Sequence, residues 1–96
     1  MPTYISMLRY TQQGISAIKN SPARIDAAKD AYRKAGGELK AIYLTLGQYD
    51  LVAIAEMPND EAVARMALAF GAQGNIRSET MRAFSEADFR KIVGTL

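Results

Sequence analysis

Neither cysteine nor histidine occurs in this 96-residue sequence, and tryptophan is absent as well. Those gaps remove whole classes of chemistry. No disulfide, thiolate nucleophile, structural zinc site of the usual Cys/His kind or His-ligated haem can be built from the chain alone. No side chain present titrates near neutral pH unless its surroundings shift it there, so an acid or base would have to be a displaced carboxylate, lysine or tyrosine. Neither a cofactor nor a metal site is expected. Long apolar runs are missing too, none approaching the ~20 residues of a membrane span. Met1-Pro2-Thr3 leads straight into strand-like sequence without the basic segment and apolar core of a signal peptide, and a cytoplasmic location is expected. Nor does one sign of charge dominate. Twelve basic against 10 acidic residues give a net charge of +2, scattered along the chain with no basic stripe interleaved with aromatics. Neither nucleic acid nor membrane is expected as a partner.

What remains is an ordinary soluble composition, 49% apolar and 23% charged. It is long enough for a single domain over residues 1–96 that buries roughly 65% of its unfolded surface. The most informative stretch is Ala41 to Ala55, two short apolar runs joined by Gly47-Gln48. A Gly-X pair between such runs predicts a two-residue type II′ turn, which sets Leu46 against Tyr49, Thr45 against Asp50, Tyr43 against Val52 and Ala41 against Ile54. One hairpin face then carries Ala41, Tyr43, Thr45, Asp50, Val52 and Ile54; the other carries Ile42, Leu44, Leu46, Tyr49, Leu51 and Ala53. Both are largely apolar, so both ask for cover, which a chain of this size supplies with difficulty.

The flanking sequence supplies the other elements. Thr3 to Tyr10 alternates as a strand, with Ile5 and Met7 on one face and Tyr4, Leu8 and Tyr10 on the other. Thr11 to Asn20 is a polar connection with room for one helical turn. Ser21-Pro22 predicts a helix from Pro22 to about Ala35, with Ser21 as its cap. That helix should bury Ile25, Ala28, Tyr32 and Ala35, turn Arg24, Lys29, Arg33 and Lys34 to solvent, and stop at Gly36-Gly37. Asn59 caps a second helix with Asp60 and Glu61 in its first turn and Val63, Met66, Ala67 and Phe70 inward. Asn75 to Phe84 reads as a fourth strand, and Ser85 with Asp88 as the capping box of a short C-terminal helix built on Phe89, Ile92 and Val93. The order βαββαβ with right-handed crossovers predicts an α+β, ferredoxin-like fold. Its sheet is four-stranded and antiparallel, order 4-1-3-2, with both helices on one face and the other left as a partner surface. Two such sheets face to face would make a dimeric α/β barrel, so a homodimer or higher oligomer is expected.

Taken together, Tyr43 to Val52 and Gly74 to Phe84 resemble the GYD domain family, small bacterial and archaeal proteins named for a Gly, Tyr, Asp signature. The resemblance spans nearly the whole chain, including the Ser21-Pro22-Ala23-Arg24 helix start and the Gly36-Gly37 stop. The signature stands here as Gly47, Tyr49 and Asp50, with Gln48 between. What it implies is a ferredoxin-like, dimeric barrel; it brings no mechanism.

Candidate site residues come from two places. In the fourth strand, Arg77, Ser78, Glu79, Thr80 and Arg82 are polar; Arg77 could hold an anion and Glu79 act as acceptor or base. Arg82 points to the opposite face, so only one of the two arginines can serve a given cavity. The competing reading is an edge strand whose charges discourage edge-to-edge pairing. In the hairpin, Gly47, Tyr49 and Asp50 form a structural turn, and Tyr43 could line a ligand cavity with its phenol as donor. Three functions are compatible with these residues. One is an oligomeric small-molecule-binding or structural domain; another is a cofactor-independent dimeric-barrel enzyme acting on a small polar aromatic or carbonyl substrate; the third is an effector-sensing subunit.

Overall fold

The computed structural model describes residues 1–96. Its elements are β1 Thr3–Tyr10, α1 Gln12–Ser16, a 3₁₀ turn Ile18–Asn20, α2 Ser21–Lys34, β2 Glu38–Leu44, β3 Leu51–Glu56, α3 Asp60–Ala72, β4 Ile76–Ala83 and α4 Glu86–Val93. The strands form one four-stranded antiparallel sheet in the order β2-β3-β1-β4, which is 4-1-3-2 counted from the other edge.

Strand alternation and register sort the side chains between two very different faces. Tyr4, Leu8, Leu51, Ala53 and Ala55 are buried on one face, together with Met57 and with Ala62 and Met66 of α3. Ala31 and Tyr32 of α2 and Val63 and Phe70 of α3 pack against this layer. The other face carries Ile5, Met7, Ala41, Val52, Ile54 and Met81 in register, and neither α2 nor α3 covers it. Only ten of the 96 residues are buried, a small core for a sheet this apolar. In β2 the register shifts between Leu39 and Ala41, so Lys40 is an extra residue and Leu39 and Ile42 both reach the helix side.

Helix ends follow local chemistry, with one exception. The Asn59 Oδ1 accepts from the Ala62 amide at 2.9 Å, and the Ser85 Oγ accepts from the Asp88 amide at 3.1 Å. α2 closes at Gly36-Gly37, whose amides donate to the carbonyls of Arg33 at 3.0 Å and Tyr32 at 2.9 Å. Its start differs from expectation. The 3₁₀ turn runs directly into the helix, Asn20 takes the cap position, and Ser21 is already helical and buried. The inward stripe of α2 therefore runs Ser21, Arg24, Ile25, Ala28, Ala31 and Tyr32, at the i, i+3, i+4, i+7 spacing of one helix face. Arg24 belongs to that stripe and not to the solvated face, whereas Ala35, at the cap, is exposed instead of buried.

The β2–β3 connection also differs. Ala41 faces Ile54 and Tyr43 faces Val52, as the pattern dictates, and the Thr45 amide still reaches the Asp50 carbonyl at 2.8 Å. The paired ladder nevertheless ends at Leu44 and Leu51, placing Tyr49 and Asp50 inside a loop instead of a two-residue turn. Gly47 does adopt a positive φ of 107°. The loop is held sideways: the Asp50 amide donates to the Leu8 carbonyl at 2.9 Å, and the Thr45 Oγ1 donates to the Tyr49 carbonyl at 2.7 Å.

α4 forms as expected, yet every one of its residues is exposed, including Phe89, Ile92 and Val93. The radius of gyration is 14.3 Å, against about 12.5 Å for a compact chain of this length. No helix is long and apolar enough to cross a membrane.

Candidate functional site

The Gly47, Tyr49, Asp50 signature forms a corner where the β2–β3 loop meets the end of β1. The Asp50 carboxylate accepts from the Tyr10 amide at 2.8 Å, taking the place of a strand carbonyl beyond the last β1–β3 pair. Arg9 holds the loop from below, its Nε donating to the Gln48 carbonyl at 2.9 Å. Its guanidinium lies over the Tyr49 ring, 4.7 Å from the centroid. Tyr49 in turn donates to Glu79 Oε2 at 2.9 Å, tying the loop to β4 across β1. That hydrogen bond first, then burial and the Glu79 charge, raises the Tyr49 pKa above its ordinary value, with Arg9 opposing.

This geometry corrects the expected face of Tyr49. Strict alternation from Leu51 would have sent it toward the helices, but the backbone leaves strand geometry after Leu44, and the ring swings to the uncovered face. There Met7, Arg9, Tyr49, Arg77 and Glu79 line a cleft of about 360 Å³. Arg9 stands directly opposite Arg77 in the β1–β4 register, a like-charge pair that disfavours the isolated face. Glu79 is engaged by Tyr49, and none of the chain's three ion pairs includes Arg77.

Of the other candidate residues, Tyr43 shares this face but sits on β2, the far edge of the sheet from Arg77 and Glu79, and is 59% exposed. Tyr43 therefore does not line the cleft that holds Arg77 and Glu79. Arg82 lies opposite Tyr4, on the helix side, with its guanidinium 4.6 Å from the Phe84 ring centroid. The two arginines thus occupy opposite faces. Beside Arg82, the Tyr4 hydroxyl donates to Asp60 Oδ1; that bond chiefly, with burial and the Asp60 charge, raises the Tyr4 pKa.

The sequence reading missed a second concavity on the helix side. Between α2 and the sheet is a cavity of about 210 Å³ with mainly apolar walls, Arg24 being its single charged lining residue. At one end the Tyr10 hydroxyl and Ser21 Oγ lie 2.6 Å apart. Burial raises the pKa of Tyr32, which also lines it. Alanines at 28 and 31 were the available signal, because small residues on an inward helix face leave space.

Comparisons with known proteins agree with the fold and place the chain in a family. The GYD domain matches residues 4–93. The glutamine synthetase and cystathionine beta-lyase binding protein of Thermus thermophilus is 32% identical over 89 residues, covering 92% of this chain and 94% of that protein. Among solved structures, TTHA0845 of Thermus thermophilus superposes with a TM-score of 0.54 at 23% identity, covering 88% of this chain and 95% of the other. FFRP-DM1 gives a TM-score of 0.61 at 16% identity, covering 88% and 100%. The chain is a member of the GYD domain family.

Proposed function

We propose that this protein is a small binding domain that works as a homodimer, two copies pairing through the sheet face away from the helices to close a dimeric α/β barrel. The observation that carries this reading is the uncovered face itself, where Ile5, Met7, Val52 and Ile54 form an apolar centre beside the Arg9, Arg77 and Glu79 cleft. Strands ~4.8 Å apart, advancing ~3.3 Å per residue, give this face a projected area of roughly 400 Å². A standard interface buries about 800 Å² per partner. The Thr45–Asp50 loop, whose Tyr49 ring lies on this face, adds to that surface. The Thermus relative is named as binding two enzymes, and the class of role carried over here is docking onto another protein.

Light scattering on the purified chain tests this reading. Wild type should have the mass of a dimer at micromolar concentration, and Ile54→Lys the mass of a monomer with an unchanged circular dichroism spectrum. A monomeric wild type contradicts it.

A further inference from the structure

We infer that the cavity between α2 and the sheet is a binding site for a small monocarboxylate bearing an apolar ring or tail, with Arg24 holding the carboxylate. This goes beyond the assembly reading and does not rest on it, since the cavity lies on the opposite side of the sheet from the proposed dimer face.

Three independent observations converge. The space is built in: α2 turns Ala28 and Ala31 toward a sheet surface made of Leu39, Ile42 and Leu51, with the exposed Ala27 at the rim, and larger residues there would close the gap. Its volume of about 210 Å³ suits a compact organic molecule, because an apolar cavity of about 150 Å³ already accommodates benzene. The second observation is chemical asymmetry. The Tyr10 and Ser21 hydroxyls, Gln73 and Asn75 accompany otherwise apolar walls, so the cavity matches a molecule with one polar end.

The third observation is Arg24. Its Nη1 is cut off from solvent and has no hydrogen-bond partner in the chain. Leaving a charged donor desolvated and unpaired is unfavourable, and a planar carboxylate is the group whose geometry a guanidinium meets with two parallel hydrogen bonds. No acidic residue lines the cavity to neutralise Arg24 or repel an anion. The ligand must therefore bring the negative charge, and the limited volume favours a monocarboxylate over a bulky phosphate ester.

Calorimetric titration with phenylacetate and its neutral isostere phenylacetamide tests the assignment on the full chain. Wild type should bind the acid about 10- to 100-fold more tightly than the amide, the range expected of a charge-assisted contact. Arg24→Gln, which keeps most of the side-chain volume, should remove that preference while leaving the weak amide binding in place. Ala28→Phe should fill the space and abolish binding of both. Equal binding of acid and amide by wild type, no binding of either at millimolar concentration, or an Arg24→Gln chain that keeps the preference would each overturn the site. Light scattering on the same samples reads the dimer separately, so the two proposals fail independently.

Discussion

Asp50→Ala is the sharpest perturbation of the signature corner. Asp50 contributes through both backbone and side chain, and only the side-chain part changes on substitution. The Thr45 amide to Asp50 carbonyl and Asp50 amide to Leu8 carbonyl bonds survive. What disappears is the carboxylate that accepts from the Tyr10 amide at 2.8 Å in a partly buried position. A hydrogen bond to a charged group contributes about 1.5–3 kcal/mol, and the abandoned amide adds to the loss wherever water cannot reach it. The expected destabilisation is thus about 2 kcal/mol. For a domain of this size each kcal/mol moves Tm by roughly 4–8 °C, so Tm should fall by roughly 8–16 °C. Asp50→Asn keeps a neutral acceptor oxygen and should lose less than half as much. Urea melts and thermal scans at one fixed protein concentration measure both, since association couples to apparent stability. A loss below about 0.5 kcal/mol in Asp50→Ala, or an equal loss in both variants, would refute the account of the corner.

Gly14→Ala should destabilise even though alanine is the better helix former. A Cβ at that position would lie 2.0 Å from the Asn75 carbonyl oxygen and 2.9 Å from its carbon. The backbone must shift, at a cost of about 1–3 kcal/mol, readable as a lower urea midpoint. Tyr4, whose pKa is raised chiefly by its bond to Asp60, sets an alkaline limit. A raised folded-state pKa on a group that is neutral when protonated gives stability that is fully present below the ordinary tyrosine value of about 10 and lost as pH rises through the folded value. Wild-type Tm should fall above pH ~10, less steeply in Tyr4→Phe; parallel profiles would show that the bond carries no linkage.

The fold was legible where one local rule acted alone. Alternation fixed the two faces of β1 and the pairing of Ala41 with Ile54 and Tyr43 with Val52, and Asn59 and Ser85 marked helix starts through their cap bonds. Reading failed where a distant contact competed. Ser21-Pro22 has the form of a cap, but the preceding 3₁₀ turn and the Tyr10 hydroxyl draw Ser21 into the helix. Arg24 lies inward because it shares a helix face with Ile25 and Ala28, a placement its charge alone argued against. The β2–β3 loop is bonded to β1, which a scan of the hairpin alone does not reveal, and so Tyr49 joined Glu79 from a face opposite to the one its parity predicted. Glu79 and Arg77 were picked out by polarity in a strand; Arg9, their neighbour across the ladder, went unremarked because a single arginine at the end of an apolar strand carries no signal of its own.

The absence of cysteine makes the central claim directly measurable. In a dimer closed through the open sheet face, opposing sheets lie ~10 Å apart, bringing residues at the centre of that face within reach of their twofold-related copies. Single-cysteine chains Val52→Cys and Ile54→Cys, treated with a short thiol-to-thiol cross-linker, should give a covalent dimer in high yield. Ala23→Cys, exposed on α2 on the helix side, should remain monomeric under the same conditions. Cross-linking of Ala23→Cys with none at Val52 or Ile54 would place any self-association elsewhere and contradict the assembly proposed here.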